Sequence, residues 1–169
     1  MASAIVLYGP KAVGKSWVAQ TLTDHLGVHH VDVDALVLEL LAAGVRPDPA
    51  DGWLTWVKRS VVAALDRHEL VSVEATGAWD SDWRLADDLQ AKGIQVLRVS
   101  VSAPKQVALQ RLADRTTRRV AVSAQEASWI YDQATTKAAG RRLDARIDTA
   151  RPQDPALVLA VLGPLLGQA

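Results

Sequence analysis

The chain has 169 residues, with 19 basic and 19 acidic side chains and no cysteine. A chain of this length buries roughly 70% of its unfolded surface as one domain, and we expect one domain over residues 1–169. The balanced charge argues against a nucleic-acid or membrane partner, and the missing cysteines exclude disulfides and thiolate chemistry and fit a cytoplasmic protein.

Predicted strands and helices alternate along the chain, which is typical of a parallel α/β sheet. The predicted strands, about five in number, cover residues 4–8, 28–31, 70–74, 94–99 and 146–148. The predicted helices cover residues 17–26, 35–43, 53–67, from Asp80 or Ser81 to 93, 104–114, 123–140 and from Asp154 onward. Ser123 with Glu126 forms a capping-box pattern, and Asp154 precedes Pro155 as a helix cap does.

The loop between the first strand and the first helix, residues 9–16, fits the phosphate-loop pattern G-x-x-x-x-G-K-[ST]. Its backbone amides and the following helix N-terminus favour an anion, while Lys15 reaches β- and γ-phosphates and Ser16 ligates Mg²⁺. The residues predicted to bind nucleotide here are Gly9, Lys11, Ala12, Val13, Gly14, Lys15, Ser16 and Trp17.

Acidic residues follow the second and third predicted strands, where ligands of open α/β sheets bind. We expect Asp34 to orient or deprotonate an acceptor hydroxyl and Asp32 to lie nearer a metal; the alternative is that Asp34 only caps the next helix. Glu74 is either a second carboxylate near Mg²⁺ or one half of an ion pair. Gly77, after the third strand, is a candidate substrate contact.

A basic segment and several tryptophans complete the candidate site. Arg115, Arg118 and Arg119 lie in a predicted lid, about residues 115–123, that would bring guanidinium groups to the transferring phosphate; the alternative is a solvated charge run. Trp53 with Trp56, and Trp79 with Trp83, have helical spacing that favours core packing. Trp53 and Trp79 also lie at loop–helix junctions, where stacking on a flat substrate is the alternative.

These motifs resemble the P-loop small-molecule kinases of the nucleoside-monophosphate-kinase type, most closely shikimate kinases and more distantly chloramphenicol phosphotransferase. The resemblance is carried by residues 9–16, 26–34 and 147–149. It implies a three-layer fold with a short lid, an acceptor contact at Asp34 and Mg²⁺ near Asp32. It also places adenine between Arg115 or Arg111 and the Arg151-Pro152 loop, and a catalytic lid arginine at Arg118.

The chain also departs from that family. Only Gly77 remains of three consecutive glycines after the third strand, and the arginine for a substrate carboxylate has no secure counterpart. Lys58 or Arg59 lies near its place, and Lys137 is a candidate for another anion contact. A hydroxyl-bearing metabolite, nucleoside or antibiotic is therefore expected as the acceptor instead of shikimate.

The sequence thus predicts an ATP- and Mg²⁺-dependent kinase, a monomer or homodimer, that phosphorylates a hydroxyl of a small molecule. One alternative is a nucleotide kinase, in which residues 45–56 form a monophosphate lid. Another is a nucleotide-binding module of the same fold that transfers no phosphate.

Overall fold

The computed structural model describes residues 3–115, 122–150 and 153–167. Five strands form one sheet: β1 Ser3–Tyr8, β2 His29–Val31, β3 Leu70–Ala75, β4 Gln95–Ser102 and β5 Ala145–Asp148. Their order is β2-β3-β1-β4-β5, and each neighbouring pair is parallel. The predicted five-stranded parallel sheet is confirmed.

Helices cover both faces of this sheet. They are α1 Lys15–Leu26, α2 Val33–Ala42, α3 Leu54–Leu65, α4 Asp80–Ala91, α5 Lys105–Ala113, α6 Ala124–Ala139 and α7 Pro155–Leu162, followed by a 3₁₀ turn Pro164–Leu166. None of the helices in the described ranges is both long enough and apolar enough to cross a bilayer.

The central strand β1 is buried on both faces, as its continuous apolar run predicts. Ala4, Val6 and Tyr8 pack with α3 and α4, whereas Ile5 and Leu7 pack with α1, α5 and α7. A hydrophobic core therefore lies on each face of the sheet, and the predicted three-layer fold is confirmed. Because all five strands are parallel, the segments after β1, β2 and β3 meet at one edge of the sheet.

Helix α2 begins two residues earlier than its apolar pattern predicts, and this changes the cap. Asp32 is the N-cap: its Oδ1 accepts a hydrogen bond from the Ala35 amide at 3.0 Å. The alternative that Asp34 caps this helix is wrong, since Asp34 already lies in the first turn. The Asp34 side chain is therefore not used for capping α2.

The start of α4 also differs from the prediction. Neither Asp80 nor Ser81 is its cap; the N-cap position belongs to Trp79, whose amide donates to the Asp82 carboxylate at 3.4 Å. At the later helices the predicted caps are confirmed. Ser123 accepts the Glu126 amide at 3.1 Å, and the Asp154 carboxylate accepts a backbone amide at the start of α7.

Candidate functional site

The phosphate loop occupies the turn from β1 into α1. Ala12 and Gly14 have positive φ angles of 64° and 99°, a backbone conformation that non-glycine residues seldom adopt. Lys15 is buried, and its ammonium donates to the carbonyls of Gly9 at 2.7 Å and Pro10 at 3.0 Å. The lysine is thus bound across the loop that precedes the helix N-terminus, where an anion would be attracted.

Position 9 requires glycine because there is no room for a side chain, and not because of its φ angle. A Cβ atom added there would lie 2.2 Å from the Val101 carbonyl oxygen and 2.9 Å from Val13 Cγ2. The loop therefore passes so close to β4 that a side chain at this position would push it out of place.

Thr149, directly after β5, connects the phosphate loop to the end of the neighbouring strand β4. Its hydroxyl donates to the Val13 carbonyl, and its amide donates to the Ser102 carbonyl at 2.8 Å. Arg111 donates to the Thr149 carbonyl at 2.7 Å and to its hydroxyl at 3.1 Å. Thr149 was not among the predicted site residues, although it ends the stretch 147–149 that carries the family resemblance.

A second charged group faces Lys15 from β3. Glu74 Oε2 lies 4.0 Å from Lys15 Nζ, and its Oε1 lies 3.6 Å from His30 Nε2. Burial lowers the pKa of Lys15, and the nearby Glu74 carboxylate opposes that effect. Glu74 therefore takes part in an ion pair, one of its two predicted roles, at the edge of the candidate site.

A cavity of about 650 Å³ opens beside the loop. Eight predicted site residues line it: Lys11, Ala12, Lys15, Asp34, Trp53, Glu74, Trp79 and Arg115. Eight other predicted residues lie outside its lining: Gly9, Val13, Gly14, Ser16, Trp17, Asp32, Gly77 and Lys137. Arg118, Arg119, Arg151 and Pro152 are not among the described residues.

The two aspartates after β2 are separated by the helix start. Asp34 lines the cavity, with its Oδ1 3.9 Å from Lys11 Nζ. Asp32 is exposed and uses one oxygen for the helix cap. The structure therefore brings Asp34, and not Asp32, to the phosphate-loop lysines.

Gly77 and Lys137 are engaged elsewhere. The Gly77 amide donates to Asp82 Oδ2 at 2.7 Å, and its carbonyl accepts from Trp83 Nε1 at 3.0 Å. Lys137 donates to Asp80 at 2.6 Å. These bonds stabilise the turn before α4 and its contact with α6.

The tryptophan pairs do not share helical faces, because Trp53 and Trp79 are cap residues. Trp83 is a core residue stacked on Tyr8 with centroids 4.1 Å apart. Trp79 is 43% exposed, lines the cavity and lies 5.8 Å from Trp129. Core packing is thus the role of Trp83, whereas Trp53 and Trp79 are placed where a ligand could contact them.

The sequence reading missed Thr76 and Asp82, which both line the cavity. Thr76 Oγ1 donates to Asp82 Oδ2 at 2.6 Å. Burial raises the pKa of Asp82, and the donors around it oppose that shift. The rule that ligands follow strand ends would have found Thr76, but Asp82 lies a helical turn further along the chain, where the rule does not reach.

Oxygen donors suited to Mg²⁺ are present near the loop. Ser16 lies in the first turn of α1, and the Glu74 carboxylate is beside Lys15. Among the residues that the structure describes, no group of three or more acidic or imidazole side chains is placed to hold a metal. A hydroxyl with one carboxylate fits an ion that completes its shell with phosphate and water.

The profile of a family described as an AAA domain matches residues 5–147 of the chain. No curated protein matches the sequence. Solved structures share its fold. The tunicamycin resistance protein of Deinococcus radiodurans is 22% identical with a TM-score of 0.69, covering 100% of this chain and 98% of that one.

Two further structures show the same fold. A shikimate kinase from Bacteroides thetaiotaomicron is 18% identical with a TM-score of 0.65, covering 98% of each chain. A gluconokinase from Sinorhizobium meliloti 1021 is 21% identical with a TM-score of 0.60, covering 96% of this chain and 93% of that one. The predicted resemblance to P-loop small-molecule kinases is confirmed at the level of the fold.

Proposed function

The chain belongs to the AAA-domain family, and from this premise we propose that it is an ATP-dependent kinase that phosphorylates a hydroxyl group of a small molecule. One observation carries the proposal: a single cavity is lined at one end by Lys11 and Lys15 of the phosphate loop and holds Asp34 beside them. A nucleotide-binding site and an acceptor site thus share one space of about 650 Å³.

The phosphate end is built to stabilise negative charge. The amides of the loop and the N-terminus of α1 attract phosphate oxygens, and the Lys15 amino group is buried at the same end. Lys11 lies at the same end, 3.9 Å from Asp34. Because phosphoryl transfer depends mainly on positioning and charge stabilisation, these groups supply most of what the reaction needs.

Asp34 serves the acceptor. The acceptor hydroxyl oxygen attacks the γ-phosphorus, the bond from that phosphorus to the β,γ-bridging oxygen breaks, and ADP leaves with the electron pair. The hydroxyl proton passes to the Asp34 carboxylate. The ion pair with Lys11 holds this carboxylate next to the phosphate loop, where the hydroxyl must approach.

Ser16 and Glu74 are the residues that would hold Mg²⁺. The ion, when bound, neutralises charge on the phosphates. Glu74 also lies 3.6 Å from His30, so its position does not depend on Lys15 alone.

A nucleotide-binding module without phosphotransfer is the rival that kinetics can separate. We would measure Mg²⁺–ATP binding by calorimetry and acceptor-dependent ADP release for wild type, Lys15→Ala and Asp34→Asn. Lys15→Ala should lose affinity and turnover together. Asp34→Asn should bind ATP within a few-fold of wild type and lose roughly 10²–10⁴-fold in turnover.

Glu39→Gln is the matched control, since Glu39 lies exposed on the same helix α2. It should behave as wild type.

Asp32→Asn tests the predicted metal contact, because asparagine preserves the helix cap. A loss of turnover that is restored by extra Mg²⁺ would assign Asp32 to the metal. Tight ATP binding with no acceptor-stimulated ADP release would favour the module, and no ATP binding would refute both functions.

A further inference from the structure

Among the described lining residues, the positive charge of the cavity is confined to its phosphate end. Of the described residues that line it, three are basic: Lys11, Lys15 and Arg115. Lys11 and Arg115 both lower the pKa of Lys15 by repulsion, which shows that the three cations are neighbours. A bound triphosphate would neutralise them, so the part of the wall that the structure describes leaves no cation for an acceptor.

The three basic residues considered for an anionic acceptor, Lys58, Arg59 and Lys137, contact other side chains and do not line the cavity. Lys58 donates to Asp88 at 2.5 Å, and Arg59 lies over the Trp56 ring at 5.4 Å from its centroid. Neither lines the cavity. Lys137, as described above, is paired with Asp80.

The remainder of the wall is apolar and acidic. Its apolar members come from α2, α3, α4 and α6: Val37, Leu54, Val57, Leu85 and Ile130, with Trp53 and Trp79 beside them. The loop before α3 adds Asp48, whose carboxylate accepts the Ala50 amide at 2.8 Å and the Asp51 amide at 2.9 Å. These bonds lower the pKa of Asp48, so the group is ionised at neutral pH.

Asp82 contributes a second carboxylate, and its two oxygens differ in their hydrogen bonds. Its Oδ2 accepts from Thr76 Oγ1 at 2.6 Å, from the Gly77 amide at 2.7 Å and from the Trp79 amide at 3.4 Å. Within the described ranges, no donor bonds to Oδ1. One oxygen is therefore locked in place while the other remains able to accept a hydrogen bond from a ligand in the cavity that Asp82 lines.

Building on the proposed function, we propose that the acceptor is a flat, largely apolar alcohol that donates a hydrogen bond to Asp82 and carries no anionic group. Trp53 and Trp79 contact its apolar body, and the hydroxyl to be phosphorylated lies toward Asp34. An acceptor with a carboxylate or phosphate group would meet the Asp48 carboxylate and, among the described lining residues, no cation beyond the three at the phosphate end.

Three matched probes test this class: 4-(hydroxymethyl)benzamide, 4-(aminomethyl)benzyl alcohol and 4-(hydroxymethyl)benzoate, which are neutral, cationic and anionic. Each would be titrated into protein saturated with Mg²⁺ and a non-hydrolysable ATP analogue, with binding followed at the tryptophan indole N–H signals by NMR. We expect the amine and the amide to bind at least tenfold more tightly than the benzoate and to shift the Trp53 and Trp79 signals.

Asp82→Asn should reduce the preference for the amine over the benzoate at least fivefold. Asp80→Asn is its control, because Asp80 lies in the same first turn of α4 but bonds Lys137 outside the cavity; it should change the ratio less than twofold. Equal or tighter binding of the benzoate to wild type, or no binding of any probe, would overturn the proposal, as would an unchanged ratio in a folded Asp82→Asn variant.

The nucleotide analogue is titrated first, by calorimetry. If it does not bind, the proposed function fails. If it binds and the benzoate is preferred, only the proposed acceptor class fails.

Discussion

The link between Thr149 and the phosphate loop can be tested by replacing Thr149 with valine, which keeps the side chain's shape and removes its hydroxyl. Thr149 is buried, and its hydroxyl bonds the Val13 carbonyl and accepts from Arg111. Leaving a buried carbonyl without its donor costs about 1–3 kcal/mol, and the guanidinium loses one of its acceptors. We therefore expect the free energy of unfolding to fall by about 2–3 kcal/mol.

That loss translates into a measurable temperature shift. An unfolding entropy of about 2.1 cal/mol/K per residue gives about 0.35 kcal/mol/K for 169 residues. Thr149→Val should therefore lower Tm by about 6–8 °C in scanning calorimetry. The Tm increase on adding Mg²⁺–ATP should also shrink, because Val13 belongs to the loop that contacts the phosphates.

Thr149→Ser is the matched control, since it keeps the hydroxyl and deletes only the methyl group. Removing one buried methyl group costs about 0.8 kcal/mol, so the Tm should fall by only about 2–3 °C. If the serine and valine variants have the same Tm, the hydroxyl does not hold the loop and the reasoning is wrong.

Three further outcomes are expected. Gly9→Ala should destabilise the protein by about 1–3 kcal/mol and abolish Mg²⁺–ATP binding, since the added Cβ would lie 2.2 Å from a backbone oxygen of β4. Gly27→Ala is the control, because the space around its Cβ is open and its φ angle is 64°. It should lower the free energy of unfolding in urea by only about 1 kcal/mol and leave nucleotide binding intact. Mg²⁺–ATP at about 100 times its Kd should add about 2.7 kcal/mol to the free energy of unfolding, which raises Tm by about 8 °C. EDTA should remove more than half of this increase in Tm. If the increase is the same with and without EDTA, a metal does not contribute to binding. The hydrogen bond from Lys137 lowers the pKa of Asp80, so the stability gained from this pair is present above the unfolded carboxyl pKa and lost as pH falls through the folded one. The difference in urea midpoint between wild type and Lys137→Gln should therefore be present at about pH 7 and become smaller as the pH falls below the unfolded carboxyl pKa of about 3.9. A difference that does not shrink in acid would show that Lys137 acts by packing.

Features with local causes were predictable from the sequence. The phosphate loop is a pattern of eight consecutive residues, 9–16, and its strand and helix follow from apolar periodicity on either side. The caps at Ser123 and Asp154 are confirmed because a cap depends on the few residues around it. The buried central strand likewise reads as an uninterrupted apolar run.

The side of the cavity away from the phosphate loop was predicted less well, because it depends on where each helix begins. An α-helix turns its side chains by about 100° per residue, so a start two residues early redirects every carboxylate near its N-terminus. At α2 this made Asp32 the cap and directed Asp34 to the cavity. At α4 the cap is Trp79, one residue before Asp80, and the Asp82 carboxylate accepts hydrogen bonds from the preceding turn.

The sequence by itself determined that the chain presents a phosphate-binding loop between a buried strand and a helix, since that chemistry lies within one continuous stretch. Only the tertiary structure decided which carboxylates share the cavity, that Thr149 bonds the loop, and that the cavity wall away from the phosphate loop is apolar and acidic. Those properties arise from residues far apart in the chain. Their proximity is set by the packing of helices against the two faces of the sheet.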